Sequence, residues 1–269
     1  MSVGARKDKV KAITVTIPER VYGGKVAEGE KGVENPIKRL NFFKRKKRFK
    51  IEPATVITGN NGIGKTTLIN ALCAGLGLDD EYFSRESTRS SSHGHFGVDQ
   101  AVRTFGLLTL PEEYDSVYRF AGDASRRRAL ALDTMEDLAI TMAKGSHGEI
   151  NLHKFHSMVL KPSQKDLLAN KSVVVALDEP EAGLSLENVF RFMGLIKNAC
   201  ETACQLSLVG HRLLFIVSTQ HPLIWRAALD GAALWLDLGG WEKENPFSMF
   251  DDLIGSEDGK ERIRLYHLT

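Results

Sequence analysis

Apolar and polar positions along this chain fall into two patterns. Compact apolar runs at 54–58, 172–177, 212–218 and 232–238 have the length and β-branched content of strands. The run at 172–177 has no polar interruption, as a strand buried on both faces requires. Between them, helical spacing predicts helices over 65–76 and from 186 to about 204, with a short one after Pro222. The first should stop at Gly75 or Gly77. Strands alternating with helices predict an α/β fold with a mainly parallel sheet.

The first fifty residues read differently, as short strands broken by turns. Residues 12–17 have strand composition, and 22–24 and 28–32 are turn-rich, which predicts N-terminal antiparallel strands. Residues 79–110 are loop-like, with a serine- and glycine-rich middle at 84–97. The pattern turns helical over 111–143, most clearly from 125, and continues over 149–160 and 164–169. This predicts a helical subdomain, spanning 80–170, inserted in a single domain of residues 1–269. No internal repeat or heptad seam appears.

Composition changes this picture little. Of 269 residues, 42% are hydrophobic and 26% charged, as in ordinary globular proteins. A net charge of +2 gives no global reason to expect nucleic-acid binding, so that must rest on a local patch. Cys73, Cys200 and Cys204, without a leader-like start, predict reduced thiols and a cytoplasmic location. No apolar run reaches the length of about 18 residues that spans a bilayer, so no membrane insertion is expected.

The chemistry concentrates after the strand at 54–58. Gly59-Asn60-Asn61-Gly62-Ile63-Gly64-Lys65-Thr66 is a complete P-loop, with a strand before it and a helix after it. Its glycines let backbone N–H groups turn inward around the α- and β-phosphates of ATP, and Lys65 reaches the β/γ-phosphates. The Thr66 hydroxyl ligates Mg²⁺, and Thr67 follows it in the phosphate-binding helix start. The helix dipole adds positive potential at the same point. A second element, 173–179, ends a buried strand in two carboxylates, Asp178 and Glu179. Ligands of open α/β sheets bind at such strand ends. Asp178 is placed to hold Mg²⁺ beside Thr66, and Glu179 to polarise an attacking water.

With these motifs in order, the chain resembles ATP-binding-cassette ATPases over roughly residues 35–240. It is most similar to the soluble branch of SMC and break-repair heads and to small bacterial ABC-like ATPases of AAA type. Ser146-His147-Gly148-Glu149 resembles the signature motif in Ser-x-Gly-Glu form, and it is also a capping box for a helix start. Residues 178–185 resemble a Walker B end followed by a D-loop, with Ser185 where many relatives have aspartate. Ser218-Thr219-Gln220-His221-Pro222 resembles the switch segment with its histidine. The resemblance implies ATP hydrolysis in a head-to-tail homodimer. Ser146 and Gly148 of one copy would contact the γ-phosphate held by the other, and Glu179 and His221 would be catalytic. No clear glutamine-loop is present; Gln100 and Arg119 are the two residues that stand near its place.

Other features admit plainer readings. His93, His95, His147, His153 and His156 lack partners for a recognisable metal site, and Cys200 and Cys204 read as packed helix residues. Lys38, Arg39, Lys44, Arg45, Lys46, Lys47, Arg48 and Lys50, interleaved with Phe42, Phe43 and Phe49, form either a solvated edge hairpin or a contact surface for DNA or RNA phosphates. The favoured expectation is an ATP-dependent dimerising switch in a nucleic-acid-associated or anti-phage-defence complex, controlling an effector such as a nuclease. An assembly scaffold, a transporter ATPase subunit and a small-molecule kinase are the alternatives.

Overall fold

The computed structural model describes residues 12–21, 33–40, 42–44, 46–76, 108–111, 114–122, 152–153 and 155–239. Two small antiparallel pairs come first. Strand β1 (Ile13–Thr16) pairs with β4 (Arg48–Ile51), and β2 (Arg20–Val21) pairs with β3 (Val33–Glu34). In β4, buried Phe49 and Ile51 alternate with exposed Arg48 and Lys50. The alternation sends Phe49 and Ile51 inward and the cations outward.

The main sheet contains β5 (Ala54–Thr58), β6 (Ser116–Ala121), β7 (Val173–Asp178), β8 (Leu213–Ser218) and β9 (Leu234–Asp237). Its order is β6-β7-β8-β5-β9, and every neighbouring pair is parallel. β5, β7 and β8 are buried along their whole length, which accounts for their largely apolar sequences. Their side chains divide between two cores by strict alternation. Val174, Ala176, Leu214 and Ile216 join helix α1 (Lys65–Gly75), β1 and β4 on one face. Val173, Val175, Leu177, Leu213, Phe215 and Val217 face the other.

That second face is covered by a π-helical turn (His156–Leu160) running into α2 (Lys161–Leu168), by α3 (Leu186–Leu208) and by α4 (Pro222–Asp230). Phe155 links β6 to α3, with ring centroids 5.5 Å from Phe120 and 5.0 Å from Phe192. Cys200 packs in this core. Ser185 caps α3 by accepting from the Asn188 N–H, and Pro222 opens α4, where a missing donor costs nothing.

The α/β fold and the N-terminal antiparallel strands are as expected. α1 ends at Gly75, as the glycine signal indicates, while α3 runs four residues past Cys204. One expectation fails. Within the stretch read as helical over 111–143, residues 116–121 form strand β6 at the sheet edge. Val117, Tyr118 and Phe120 are β-branched or aromatic, and pairing along all of β7 outweighs the helical spacing. Thus strand β6 lies inside the span 80–170 assigned to a helical subdomain, most of which falls outside the described residues. Among the described residues no helix is long and apolar enough to cross a membrane.

Candidate nucleotide-binding site

Strand order decides what meets at the carboxyl edge of the sheet. β8 lies between β5 and β7, so the segment after β8 is held between the P-loop and the Asp178–Glu179 pair. The P-loop follows β5 directly. Gly59, Gly62 and Gly64 take φ values of 146°, 75° and 103°. At Gly64 there is a second constraint, because a Cβ would sit 2.6 Å from Leu40 Cδ1. Only glycine both adopts this turn and lets Leu40 pack against it.

Gly64 caps α1 without a side-chain hydrogen bond, leaving the helix start to an anion. Asn60, Asn61, Thr66 and Thr67 are exposed around it. Lys65 is only 4% exposed. Its ammonium donates to the Gly59 and Asn60 carbonyls at 2.8 and 3.2 Å, and it lies 3.2 Å from Glu179 Oε1. A buried cation held by the loop's own carbonyls is well placed for phosphate oxygens.

Asp178 ends β7 and is 5% exposed. Its Oδ1 accepts from Ser218 Oγ at 2.6 Å and from Thr66 Oγ1 at 3.3 Å; its Oδ2 accepts from the Arg119 guanidinium at 3.2 Å. Thr66 and Asp178 therefore bring two hard oxygen donors together at the start of α1, a donor set that suits Mg²⁺. The loop glycines, Lys65 and this pair fit a Mg²⁺-nucleotide. Arg119 enters the site from β6 through Asp178, whereas Gln100 lies outside the described residues.

Glu179 has φ 46°, a left-handed conformation that costs a non-glycine residue about 1–3 kcal/mol. Several contacts hold it. Its N–H donates to the Ser218 carbonyl at 3.0 Å, and its carboxylate, 29% exposed, meets Lys65 and accepts from the Gln220 side-chain amide. Close behind lies Gly122, whose N–H donates to the Asp178 carbonyl at 3.0 Å. A Cβ on Gly122 would run into the Glu179 carbonyl.

In the segment after β8, His221 and its neighbour Gln220 make different contacts. His221 caps α4: its Nδ1 accepts from the Leu223 N–H at 3.3 Å, and burial holds its pKa below the ordinary value. The side chain that meets Glu179 is the neighbouring Gln220. Glu181 supports this segment from below, with Oε1 accepting from Thr219 Oγ1 at 2.6 Å and from the Gln220 N–H at 2.9 Å. Burial raises the Glu181 pKa. Cys73, buried in α1 beneath the site, is pushed up to about 12 and is an inert thiol at neutral pH.

Residues 37–129 match a family model described as an AAA domain. The match spans the P-loop and β6, and it supports a P-loop ATPase. No curated protein matches the chain. The α/β architecture is consistent with the P-loop NTPase fold of such domains.

The geometry brings together Gly59, Gly64, Lys65, Thr66, Asp178 and Glu179. Ser146 and Gly148 lie outside the described residues. Sequence reasoning missed the direct roles of Ser218, Gln220 and Glu181 and the ion pair of Arg119. Ser218 reads as the last residue of an apolar run, and Gln220 is overshadowed by the histidine beside it. Arg119 stands out in the sequence, but its pairing with Asp178 becomes visible only once β6 lies beside β7.

Proposed function

We propose that the chain is an ATP-hydrolysing molecular switch. The supporting observation is the convergence of Lys65, the Thr66–Asp178 oxygen pair and Glu179 where β5 and β7 end. Lys65 and the loop N–H groups bind the phosphates, Thr66 and Asp178 hold Mg²⁺, and Glu179 orients the attacking water. Mg²⁺ supplies charge neutralisation at the phosphates when bound.

In this reading two copies meet head to tail across two nucleotides, and Ser146 and Gly148 of each complete the other's site. Hydrolysis loosens the pair and passes motion to a partner effector such as a nuclease, in a nucleic-acid-associated or defence complex. The Glu179→Gln variant is expected to accumulate as an ATP-bound dimer in size-exclusion chromatography with Mg²⁺-ATP. A variant that binds ATP and stays monomeric contradicts the switch.

The basic segment offers DNA or RNA a docking ribbon. Lys44, Lys46, Lys47, Arg48 and Lys50 are exposed, while Phe43 and Phe49 are buried and anchor it. ATPase stimulation by DNA or RNA should fall with salt and vanish when Lys44, Arg45, Lys46, Lys47 and Arg48 are neutralised. Stimulation unchanged in both tests removes nucleic acid from the reading. The Lys65–Glu179 ion pair favours one other use, a slow-hydrolysing assembly scaffold, because the pair must part before Glu179 can act.

A further inference from the structure

We propose that Gln220, rather than His221, is the positioning residue through which the switch segment holds the water-orienting carboxylate of Glu179. This rests on the hydrolase reading above and names a residue that reading does not use. Three observations lead to it. The Gln220 amide donates to Glu179 Oε1, the same oxygen that Lys65 approaches at 3.2 Å. The backbone carrying Gln220 is fixed, because Glu181 Oε1 accepts the Gln220 N–H at 2.9 Å and the Thr219 hydroxyl at 2.6 Å. And the Nδ1 of His221 serves as the cap of α4.

The chemistry gives the two partners of Glu179 different tasks. A carboxylate only accepts, so the Gln220 side chain must present its NH₂ group. The Lys65 ammonium pairs with the carboxylate as a point charge, whereas the planar Gln220 amide orients it through a directional hydrogen bond. Lys65 is the cation that phosphates would claim. Gln220 is then the partner Glu179 keeps, and it holds a carboxylate whose backbone is already in a left-handed conformation. Glu181 sets the height from which the amide reaches, and it joins the segment after β7 to the segment after β8.

Two measurements test this on the full chain. In nucleotide-free protein, unfolding midpoints are compared for Glu179→Ala, Gln220→Leu and the double variant. The double variant should shift by less than the sum of the single shifts, because the same contact is lost in each. Additive shifts overturn the contact. In steady-state phosphate release, Gln220→Leu should lower kcat by about 10- to 100-fold, the scale of a misplaced catalytic group, with ATP affinity within about threefold. His221→Ser supplies another good cap and should lose less than Gln220→Leu. An equal or larger loss in His221→Ser, or a Gln220→Leu variant that loses affinity in place of kcat, overturns the assignment. Wild-type protein that binds ATP and releases no phosphate overturns the hydrolase reading instead, and the nucleotide-free comparison still decides whether Gln220 holds Glu179.

Discussion

The two ends of the main sheet hold carboxylates in similar ways and for different purposes. At the amino end, the Asp115 carboxylate accepts from Ser172 Oγ at 2.6 Å and from the Ser172 N–H at 2.7 Å. Asp166 there accepts from Ser116, from the Tyr118 hydroxyl at 2.7 Å and from Lys171 at 3.0 Å. At the carboxyl end, Asp178 likewise accepts from two hydroxyls and a cation. Hydroxyls and a cation on a carboxylate therefore do not make a site. The carboxyl end adds three things: a left-handed glycine loop, a helix start with no side-chain cap, and a buried cation beside the carboxylate of a residue with strained backbone. The amino end fastens α2 and β7 to β6 and leaves nothing for a ligand to complete.

The largest expected difference between the ends is in stability. Arg119→Met leaves Asp178 buried without its cation and should cost about 3–5 kcal/mol in urea unfolding. Lys171→Met breaks a pair whose lysine is half exposed, and should cost under about 1 kcal/mol. Equal costs would erase the distinction. Next in size is nucleotide affinity. Lys65→Ala should weaken ATP binding about 100-fold in calorimetry, from the roughly 3 kcal/mol of a charged contact. Neutralising the amino-end pair should leave that affinity unchanged.

Acid separates the ends more gently. Hydrogen bonds from Ser116, Tyr118 and Lys171 hold the Asp166 pKa down to about 2. Its folded pKa lies below its unfolded one, so its stabilisation is present above about pH 4 and is lost as pH falls towards 2. Asp166→Asn should flatten that limb of the unfolding midpoint against pH. Glu181 has the opposite sign: burial raises its folded pKa, so stability is lost as pH rises above the unfolded value of about 4.3. Glu181→Gln keeps an acceptor for Thr219 and Gln220. Its unfolding midpoint should gain on wild type as pH rises from acid to neutral, the smallest of these effects.

Much of the nucleotide site was legible because its residues are consecutive. A P-loop and a strand-end acidic pair each carry their spacing in the sequence, and a parallel sheet can bring them together only at one edge. The fold was legible for the same reason wherever a strand is buried on both faces. β6 was not, since an edge strand with Arg119 at its centre shows no apolar run. The contact of Glu179 with Gln220 was illegible because it crosses the sheet: Gln220 meets Glu179 and Glu181 only when β7 and β8 lie side by side. The histidine drew attention by its chemistry, while its backbone position before Pro222 marked it as a helix cap.

The central claim is that this site hydrolyses ATP with Glu179 orienting the water, and phosphate release by purified protein tests it most directly. Wild type with Mg²⁺-ATP should release phosphate to water. Glu179→Gln should bind ATP as wild type does and release phosphate about 10²- to 10⁴-fold more slowly, the usual contribution of a positioned base. Release by Glu179→Gln at the wild-type rate, or phosphate passed to another acceptor in place of water, would contradict the account.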